Sequence, residues 1–247
     1  MRIAQAVIVA GGKGVRLHPY TLRKQKAMVP VLGRPFLEYL IDLFKKNGVI
    51  NILLLLGYKP ESVIDYFGDG RNHGVNITYS VSPAEIQNGT RLRNAVRLLD
   101  DHFLFHYCDI YWPLDIEKHL AFFKKNNLPA LMTVFHNKRD GKGEYAHGNI
   151  KVNEEGIIEY YGPFQDDPSY QGNDIGFYIL KKDILRYMPE GDFMFQDFIS
   201  QQLVAEHRIG AFITDDPYTT ITNAEWLQKT EEFFKTMGYR QNRENYV

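Results

Sequence analysis

A glycine-rich, basic segment near the start of the chain is the strongest candidate for chemistry. It reads Ala10-Gly-Gly-Lys-Gly-Val-Arg-Leu-His-Pro19 and follows the apolar run Ala6–Ala10 directly. Glycines let backbone N–H groups approach a phosphate with no Cβ in the way, and consecutive N–H groups form an anion-binding concavity. The segment and the residues after it carry the cations Lys13, Arg16, Arg23, Lys24 and Lys26. This pattern predicts a phosphate-binding loop, although a solvated turn with surface cations would carry the same charges.

The spacing of the glycines excludes two common phosphate-binding motifs. A P-loop needs a glycine, four residues and then Gly-Lys-Ser/Thr, which the segment lacks. A dinucleotide-binding fingerprint that starts at Gly12 includes Gly14, but Leu17 stands at its third glycine position, and no helical period follows. The segment is therefore a different kind of loop. It lies at the carboxyl end of a buried strand, the edge at which parallel sheets bind ligands.

The elements that must hold this loop alternate between strands and helices through the first half of the chain. The strands are predicted at Ala6–Ala10, Ile50–Leu56, Val75–Val81, His102–Cys108 and Leu131–His136. Four helical periods lie between them. The first follows Pro35 and ends at Gly48, the third carries Leu92 to Leu99, and Asp115 can cap the fourth. Repeated strand–helix units predict an α/β fold, a Rossmann-like three-layer sandwich with a mostly parallel central sheet.

The pattern changes after about residue 137. A polar loop is predicted at Asn137–His147, and a hairpin follows in which Asn149–Val152 and Ile157–Tyr161 flank Gly156, where a positive φ is needed. Further elements are predicted at Ile175–Leu180 (strand), Phe193–Glu206 (helix), Ile209–Ile213 (strand) and Ala224–Met237 (helix). Residues 241–247 are polar and expected to fray. No linker divides the chain, so we predict a single domain with two halves, 1–136 and 137–247.

Composition excludes several other classes of protein. The 247 residues carry a net charge of −1, so no global field favours nucleic acid or an anionic membrane. No apolar run approaches the roughly 20 residues that a membrane span needs. The single cysteine, Cys108, excludes an intrachain disulfide and a cysteine-clustered zinc site. The first residues do not read as a signal peptide, so a cytoplasmic protein is expected.

The order of residues 11–31 resembles the signature of sugar-1-phosphate nucleotidyltransferases, Gly-Gly-x-Gly-Thr-Arg-Leu-x-Pro-x-Thr followed by Pro-Lys and Pro-Val. The chain departs from it at Val15, in place of threonine, and at Gln25, in place of the proline before the lysine. Further similar segments are Gly33–Tyr39, Asn88–Thr90, Cys108-Asp109 and Asn173–Phe177, so the resemblance covers nearly the whole chain. Details around Asn88–Leu92 and Tyr107–Leu114 are most similar to the heptose- or mannose-1-phosphate guanylyltransferase branch.

This resemblance implies transfer of a nucleotidyl group from an NTP to a sugar 1-phosphate, giving an NDP-sugar and pyrophosphate. The product would serve as a precursor of surface polysaccharide. Residues 1–136 would then be the nucleotide-binding half, and residues 137–247 a small β elaboration that binds the sugar. The implied cofactor is Mg²⁺, the implied partners are the NTP and the sugar 1-phosphate, and a homo-oligomer stays open.

Three residues are predicted to be catalytic on the strength of the resemblance. Arg16 would grip the pyrophosphate leaving group bidentately, and Lys26 would bridge the α-phosphate and the sugar phosphate. Asp109 ends an apolar strand, where a carboxylate needs a compensating cation, and it would bind Mg²⁺. Contacts to the nucleotide or the sugar are predicted for Gly11, Gly12, Lys13, Gly14, Ser82, Gly89, Thr90, Asn173 and Asp174.

The largest departure from the family pattern concerns the metal. Relatives carry a second metal carboxylate in the motif Asp-Ile-Gly-Thr-Pro-Glu, where this chain reads Thr220-Ile-Thr-Asn-Ala-Glu225. Either Asp109 holds the metal with water and phosphates, or the pair Asp215-Asp216 contributes. The residues alone leave both options open.

A second departure concerns the acceptor. Relatives often carry Glu-Lys-Pro in the hairpin, with the lysine on the sugar phosphate, whereas this chain has Tyr161-Gly-Pro163. Another cation, Arg91, Arg93 or Lys151, would then have to serve. Two further hypotheses stay open: a cytidylyl- or uridylyltransferase with a non-sugar phosphate acceptor, and an inactive nucleotide-sugar-binding regulatory protein. Neither the base nor the sugar follows from the residues.

Overall fold

The computed structural model describes residues 2–136, 148–165, 167 and 169–240. Its strands are β1 (Gln5–Ala10), β2 (Pro30–Val31), β3 (Arg34–Pro35), β4 (Asn51–Leu56), β5 (Asn76–Val81), β6 (His102–Tyr107), β7 (Ile110–Tyr111), β8 (Ala130–His136), β9 (Gly148–Val152), β10 (Ile158–Gln165), β11 (Gly172–Lys181), β12 (Ile209–Thr214) and β13 (Thr219–Thr220). Its α-helices are α1 (Phe36–Lys46), α2 (Glu61–Phe67), α3 (Asn88–Asn94), α4 (Ile116–Asn126), α5 (Phe195–Phe198) and α6 (Ala224–Thr236). The predicted polar loop 137–147 and the predicted fraying of 241–247 lie outside the described residues.

The chain forms two compact units, each assembled from separate segments. Unit 1 contains Met1–Ile3, Gln87–His106 and Asp115–Pro217. Unit 2 contains Ala4–Ile86, Tyr107–Leu114 and Tyr218–Val247.

Unit 2 contains a parallel sheet segment with helical crossovers. Strand β4 pairs in parallel with β1 on one side and with β5 on the other. All six residues of β1 are buried, as are five of the six in β4, which explains why both read as continuous apolar runs rather than alternating ones. Helices α1 and α2 provide the connections from β1 to β4 and from β4 to β5.

The last helix of the chain completes the core of unit 2. Asn223 caps α6, because its Oδ1 accepts a hydrogen bond from Trp226 N at 2.9 Å. The ring of Phe234 in α6 lies 4.3 Å from the ring of Tyr39 and 6.2 Å from that of Phe36, both in α1. Buried aromatic side chains of this size contribute heavily to core stability.

Unit 1 is organised around β11, whose neighbours run antiparallel to it. Strand β11 pairs with β6, with β8 and, at Gly172, with β9. Strand β8 also pairs in parallel with β12, and β9 forms the predicted hairpin with β10. Gly156 in the hairpin turn has a φ of +81°, as predicted. Asp115 caps α4 by accepting from Lys118 N at 3.3 Å, also as predicted.

The α/β fold class with a mostly parallel sheet is confirmed, and the differences are local. The helix expected at Phe193–Glu206 is α5 followed by a π-helical segment, Ile199–Val204. The α-helix around Leu92 ends at Asn94 and continues as the 3₁₀ turn Val96–Leu98. Among the described residues, no helix has both the length and the apolar character that crossing a membrane requires.

Candidate active site

The glycine-rich loop lies in unit 2, directly after β1, and contains short 3₁₀ turns. Gly14 has a φ of +61°, and a Cβ at this position would lie 3.0 Å from Lys26 Cβ. Its carbonyl oxygen accepts hydrogen bonds from Thr21 Oγ1 at 2.8 Å and from Leu17 N at 2.9 Å. Glycine is therefore required here by the fold of the loop, since other residues would be strained at this φ and crowded against Lys26.

The other predicted contact residues of unit 2 differ from Gly14 in their exposure and hydrogen bonds. Gly12 is exposed, and a Cβ built on it would meet no described atom within 4 Å. Gly11 is buried, and its carbonyl oxygen accepts from Tyr58 N at 2.9 Å. Ser82 is buried just after β5, where its backbone N donates to Leu56 O at 3.1 Å. The described part of the chain gives no steric reason for a glycine at position 12, which fits a backbone segment open to a ligand.

Two cations of the loop, Arg16 and Lys13, are exposed to solvent. Arg16 is exposed, whereas its neighbour Leu17 is buried and anchors the turn. Lys13 is also exposed, with Nζ 3.8 Å from Glu85 Oε1, and an ion pair of this kind at the surface contributes little. Within the described residues, Arg16 makes no hydrogen bond or ion pair. Its guanidinium donors are thus available to an anion.

Lys26 and Asp109 form the central ion pair of the site. Lys26 Nζ lies 2.5 Å from Asp109 Oδ2, although the residues are 83 positions apart. The side chains are 12% and 23% exposed, so the pair is screened less than a surface pair. Lys26 opens the third 3₁₀ turn of the loop, and Asp109 follows β6. The fold therefore brings together one fixed cation and one fixed carboxylate.

Cys108 precedes Asp109 and is a packing residue. Its thiol is buried, and this burial raises its pKa to about 12, with the charge of Asp109 acting in the same direction. A thiol that stays protonated is a poor nucleophile. Cys108 therefore behaves as a small apolar group in the core.

The surroundings of Asp109 determine how a divalent cation could bind. Strands β7 and β13 pair, and Ile221 N donates to Asp109 O at 3.0 Å. Thr220, at the position of the family's second metal carboxylate, thus lies in the strand next to Asp109. Asp215, the other candidate, accepts a hydrogen bond from His136 Nδ1 at 3.0 Å in unit 1. No group of three metal-binding side chains occurs in the described residues. Asp109 fits an ion that takes its other ligands from water and substrate phosphates, as Mg²⁺ usually does.

In unit 1, the predicted segment Asn88–Thr90 begins α3 and is hydrogen-bonded to Phe193 and to Phe195, the first residue of α5. Asn88 Oδ1 accepts from Phe195 N at 2.7 Å, and Thr90 Oγ1 accepts from Phe193 N at 3.0 Å. A Cβ on Gly89 would overlap the ring of Phe193 and lie 2.9 Å from its carbonyl oxygen. The side chains of Asn88 and Thr90 therefore hold this segment in place, and the glycine between them is required by packing.

Asn173 and Asp174, the predicted sugar contacts, lie in β11. Asn173 is buried, while Asp174 Oδ2 accepts from Tyr161 OH at 2.8 Å and from the hydroxyl of Tyr178. Asp174 Oδ1 accepts from Gly176 N at 2.7 Å. Burial raises the pKa of the Asp174 carboxyl, and these hydrogen bonds oppose the rise. The two tyrosines were not predicted as site residues, and the Tyr161-Gly-Pro163 departure was the signal that could have identified one of them.

The cations considered as a replacement for the family lysine are all in unit 1. Arg91 is 3% exposed. The guanidinium of Arg93 donates to the backbone carbonyl oxygens of Pro189 and Gly191, so it fastens that turn. Lys151 Nζ lies 4.5 Å from the centre of the Tyr170 ring. Arg93 is therefore engaged in structure, and the identity of the replacement cation stays a prediction.

A cleft of about 450 Å³ opens beside the hairpin in unit 1. Its lining combines two tyrosines with short polar side chains and contains no lysine or arginine. The lining residues are Tyr160, Tyr161, Gly162, Pro163, Gln196, Asp197 and Ser200. Such a surface suits a neutral polyhydroxyl group better than a phosphate.

Comparison with known protein families agrees with the α/β fold. Residues 5–226 match the nucleotidyl transferase family. The match covers most of the chain, so the protein belongs to this family.

The chain is also similar to individual members of this family. The chain is 28% identical to the mannose-1-phosphate guanylyltransferase of Mycobacterium tuberculosis over 75% of its own length and 51% of that protein. It is 26% identical to the D-glycero-alpha-D-manno-heptose 1-phosphate guanylyltransferase of Campylobacter jejuni, over 88% of its length and 94% of that protein. The chain thus spans about half of the first relative and nearly all of the second. The crystal structure of HddC from Yersinia pseudotuberculosis shares the fold, with a TM-score of 0.76, 22% identity, and coverage of 94% of this chain and 100% of that one.

Proposed function

We propose that the protein transfers a nucleotidyl group from an NTP to a sugar 1-phosphate. The observation that carries this proposal is the Lys26–Asp109 ion pair, with Nζ and Oδ2 2.5 Å apart, beside a glycine-rich loop whose Arg16 is exposed. Family membership supports the reaction class. An oxygen of the sugar phosphate forms a bond to the α-phosphorus, and the bond from that phosphorus to the bridging oxygen of pyrophosphate breaks.

The two cations of the loop act on different oxygens in this reaction. Lys26 neutralises charge between the α-phosphate and the incoming phosphate, whose mutual repulsion opposes the attack. Arg16 binds the departing pyrophosphate, because its planar guanidinium can donate to two phosphate oxygens at once. A phosphate monoester is already ionised near neutral pH, so the attack needs no general base.

Asp109 is the residue that would hold a divalent cation, which we propose to be Mg²⁺. When bound, the ion supplies positive charge to the phosphate oxygens during the transfer. Asp109 offers a hard oxygen ligand on a position fixed by β6 and by the bond from Ile221 N. Lys26 Nζ must then share or release this carboxylate as the substrates arrive.

For the donor base and the acceptor we propose guanine and a mannose- or heptose-type sugar. Support comes from the names of the two relatives, each a guanylyltransferase. Asn173 and Asp174 are the proposed contacts to sugar hydroxyls, since a buried amide and a carboxyl provide donors and acceptors together. The product would be an activated sugar for polysaccharide synthesis.

The experiment that tests this function is a pyrophosphate-release screen. Each common NTP is combined with a panel of sugar 1-phosphates in the presence of Mg²⁺, with EDTA as the metal-free control. We expect release with GTP and mannose 1-phosphate or heptose 1-phosphate, and none with EDTA. Release only with CTP or UTP and a non-sugar phosphate would instead identify a transferase for another acceptor.

A catalytically inactive sugar-nucleotide-binding protein is the second candidate, because Thr220 stands beside Asp109 where a carboxylate is expected. It predicts that NDP-sugars bind in calorimetry while no combination releases pyrophosphate. That result would contradict the transferase proposal directly.

A further inference from the structure

Gln25 is a buried polar residue that the proposed reaction does not use. The residue is 1% exposed, and its backbone has φ −63° and ψ 149°. The family signature has proline at this position, and proline also fits this φ. Glutamine thus keeps the same backbone shape and adds hydrogen-bonding groups that proline lacks.

The polar groups of Gln25 bond both within its own 3₁₀ turn and to other segments of unit 2. Nε2 donates to the carbonyl oxygen of Ala10, the last residue of β1, at 2.9 Å. Oε1 accepts from the backbone N–H of Ala27. The backbone N–H of Gln25 donates to Ser62 Oγ at 3.1 Å, and Nε2 lies 4.0 Å from Cys108 Sγ.

These hydrogen bonds hold the backbone immediately before and immediately after Lys26. The side chain of Gln25 is bonded to the peptide N–H that follows Lys26, so the backbone on either side of the lysine is fixed. The same amide is bonded to the strand end from which the glycine-rich loop departs, and it contacts the residue before Asp109. A change at this amide therefore alters the position of Lys26 relative to both the loop and Asp109.

We propose that Gln25 is the positioning residue for Lys26, holding its ammonium group next to Asp109 and oriented for phosphate. The inference rests on the proposed function for its consequence in turnover, but its structural part concerns Lys26 alone. A buried amide without hydrogen-bond partners is costly, so conformations in which the Gln25 side chain loses its partners are disfavoured. The hydrogen bonds of Gln25 therefore stabilise one backbone conformation together.

The test is the rate at which Lys26 reacts with an amine-acetylating reagent, followed by mass spectrometry of the folded protein. In the wild type, Lys26 should react more slowly than Lys118, because 12% of the Lys26 side chain is exposed against 72% of the Lys118 side chain, and its ion pair is shorter, 2.5 Å against 3.4 Å. Gln25→Met keeps the size of the side chain and removes both hydrogen-bonding ends. Loss of a buried hydrogen bond corresponds to about a tenfold change in an equilibrium, so we expect Lys26 to react about tenfold faster and Lys118 to be unchanged.

Gln228→Met is the matched control, since Gln228 is exposed on α6 and its side-chain amide donates to Glu232 Oε1 at 3.5 Å. It should leave the reactivity of Lys26 unchanged. If the Gln25→Met protein does not fold by circular dichroism, Gln25→Asn, which keeps the amide but shortens the side chain, decides the question. It should raise the reactivity of Lys26 by a smaller factor. Unchanged reactivity of Lys26 in a folded Gln25 variant overturns the proposal.

Turnover provides the second measurement. With active wild-type protein, Gln25→Met should lower kcat about tenfold while KM for the NTP changes less than threefold, because the misplaced lysine acts on the transition state. An equal loss in kcat with unaltered Lys26 labelling of the folded protein would show that the loss has a cause other than the position of Lys26, and this also counts against the proposal. If the wild type has no activity, the proposed function fails while the labelling result still decides the role of Gln25.

Discussion

The glycine-rich loop of unit 2 and the segment Asn88–Thr90 of unit 1 both match the same family pattern, but their polar groups are used differently. In the loop, buried residues anchor the backbone, and Arg16 and Gly12 stay exposed. In the segment, Asn88 and Thr90 are bonded to backbone N–H groups of the chain about 100 residues later. A motif therefore shows which residues correspond to the family pattern, but their hydrogen-bond partners decide whether a side chain there is available to a ligand.

The largest effect is expected from the carboxylate next to the loop. Asp109→Asn should lower kcat by about 10³-fold, because the amide cannot bind a divalent cation as a carboxylate does and no longer pairs with Lys26. Steady-state pyrophosphate release measures this loss. Asp69→Asn, at an exposed aspartate paired with Arg71 in the same unit, should retain wild-type rates. A rate within threefold of wild type for Asp109→Asn would contradict its role.

The exposed cation of the loop should give the next largest effect. Arg16→Ala should lower kcat about 10²-fold with little change in melting temperature, since the proposed role of this side chain is to supply charge to the leaving group and it makes no hydrogen bond or ion pair within the described residues. Arg71→Ala, at an arginine that is 85% exposed, is the control. A fall in melting temperature without a fall in kcat would show that Arg16, like Asn88 and Thr90, holds the fold in place and does not act on the substrate.

Two glycines provide the most direct test of the contrast between the regions. Gly89→Ala should destabilise the protein by about 1–3 kcal/mol, because the added methyl group overlaps Phe193. Gly12→Ala should leave the free energy of unfolding unchanged but raise KM for the NTP about tenfold, the equivalent of one lost hydrogen bond to phosphate. Urea denaturation and initial rates separate the two quantities. Interchanged results would reverse our assignment of which glycine serves packing and which serves binding.

The smallest effect concerns the position beside Asp109. Thr220→Asp adds a carboxylate in the strand next to Asp109 and should tighten binding of Mn²⁺, used as a probe of the Mg²⁺ site, by about three- to tenfold. Calorimetry of Mn²⁺ binding measures the change. Thr236→Asp adds the same charge at an exposed position in α6 and should have no effect. If the two variants behave alike, Thr220 does not adjoin a metal site.

Much of the fold was predictable because the apolar periodicity is local. The buried run of β1, the helix between Pro35 and Gly48 and the cap at Asp115 each follow from neighbouring residues. The π-helical segment after α5 was not predictable in this way, since it interrupts a helical period that reads as continuous. The 3₁₀ turns of the glycine-rich loop likewise follow no periodicity.

The site was predictable only in part, because several of its contacts join residues far apart in the chain or involve backbone atoms. Lys26 and Asp109 were both candidates, but their separation of 83 positions means that only the fold could pair them. Gln25 could be recognised in the sequence as a departure from proline. Its partners could not, because they are the backbone carbonyl of Ala10 and the backbone N–H of Ala27, which any residue type would provide. Gly89 was expected to face a nucleotide, and the need for glycine there comes from Phe193.

The aromatic contact between α1 and α6 has a consequence for how the protein is made. Tyr39 is synthesised early, but Phe234, whose ring lies 4.3 Å from it, is added nearly 200 residues later. On the ribosome, α1 therefore exposes its aromatic face until α6 emerges, and the core of unit 2 stays unfinished over that interval. A ribosome-stalling series should find that unit 2 becomes protease-resistant only after α6 has left the exit tunnel.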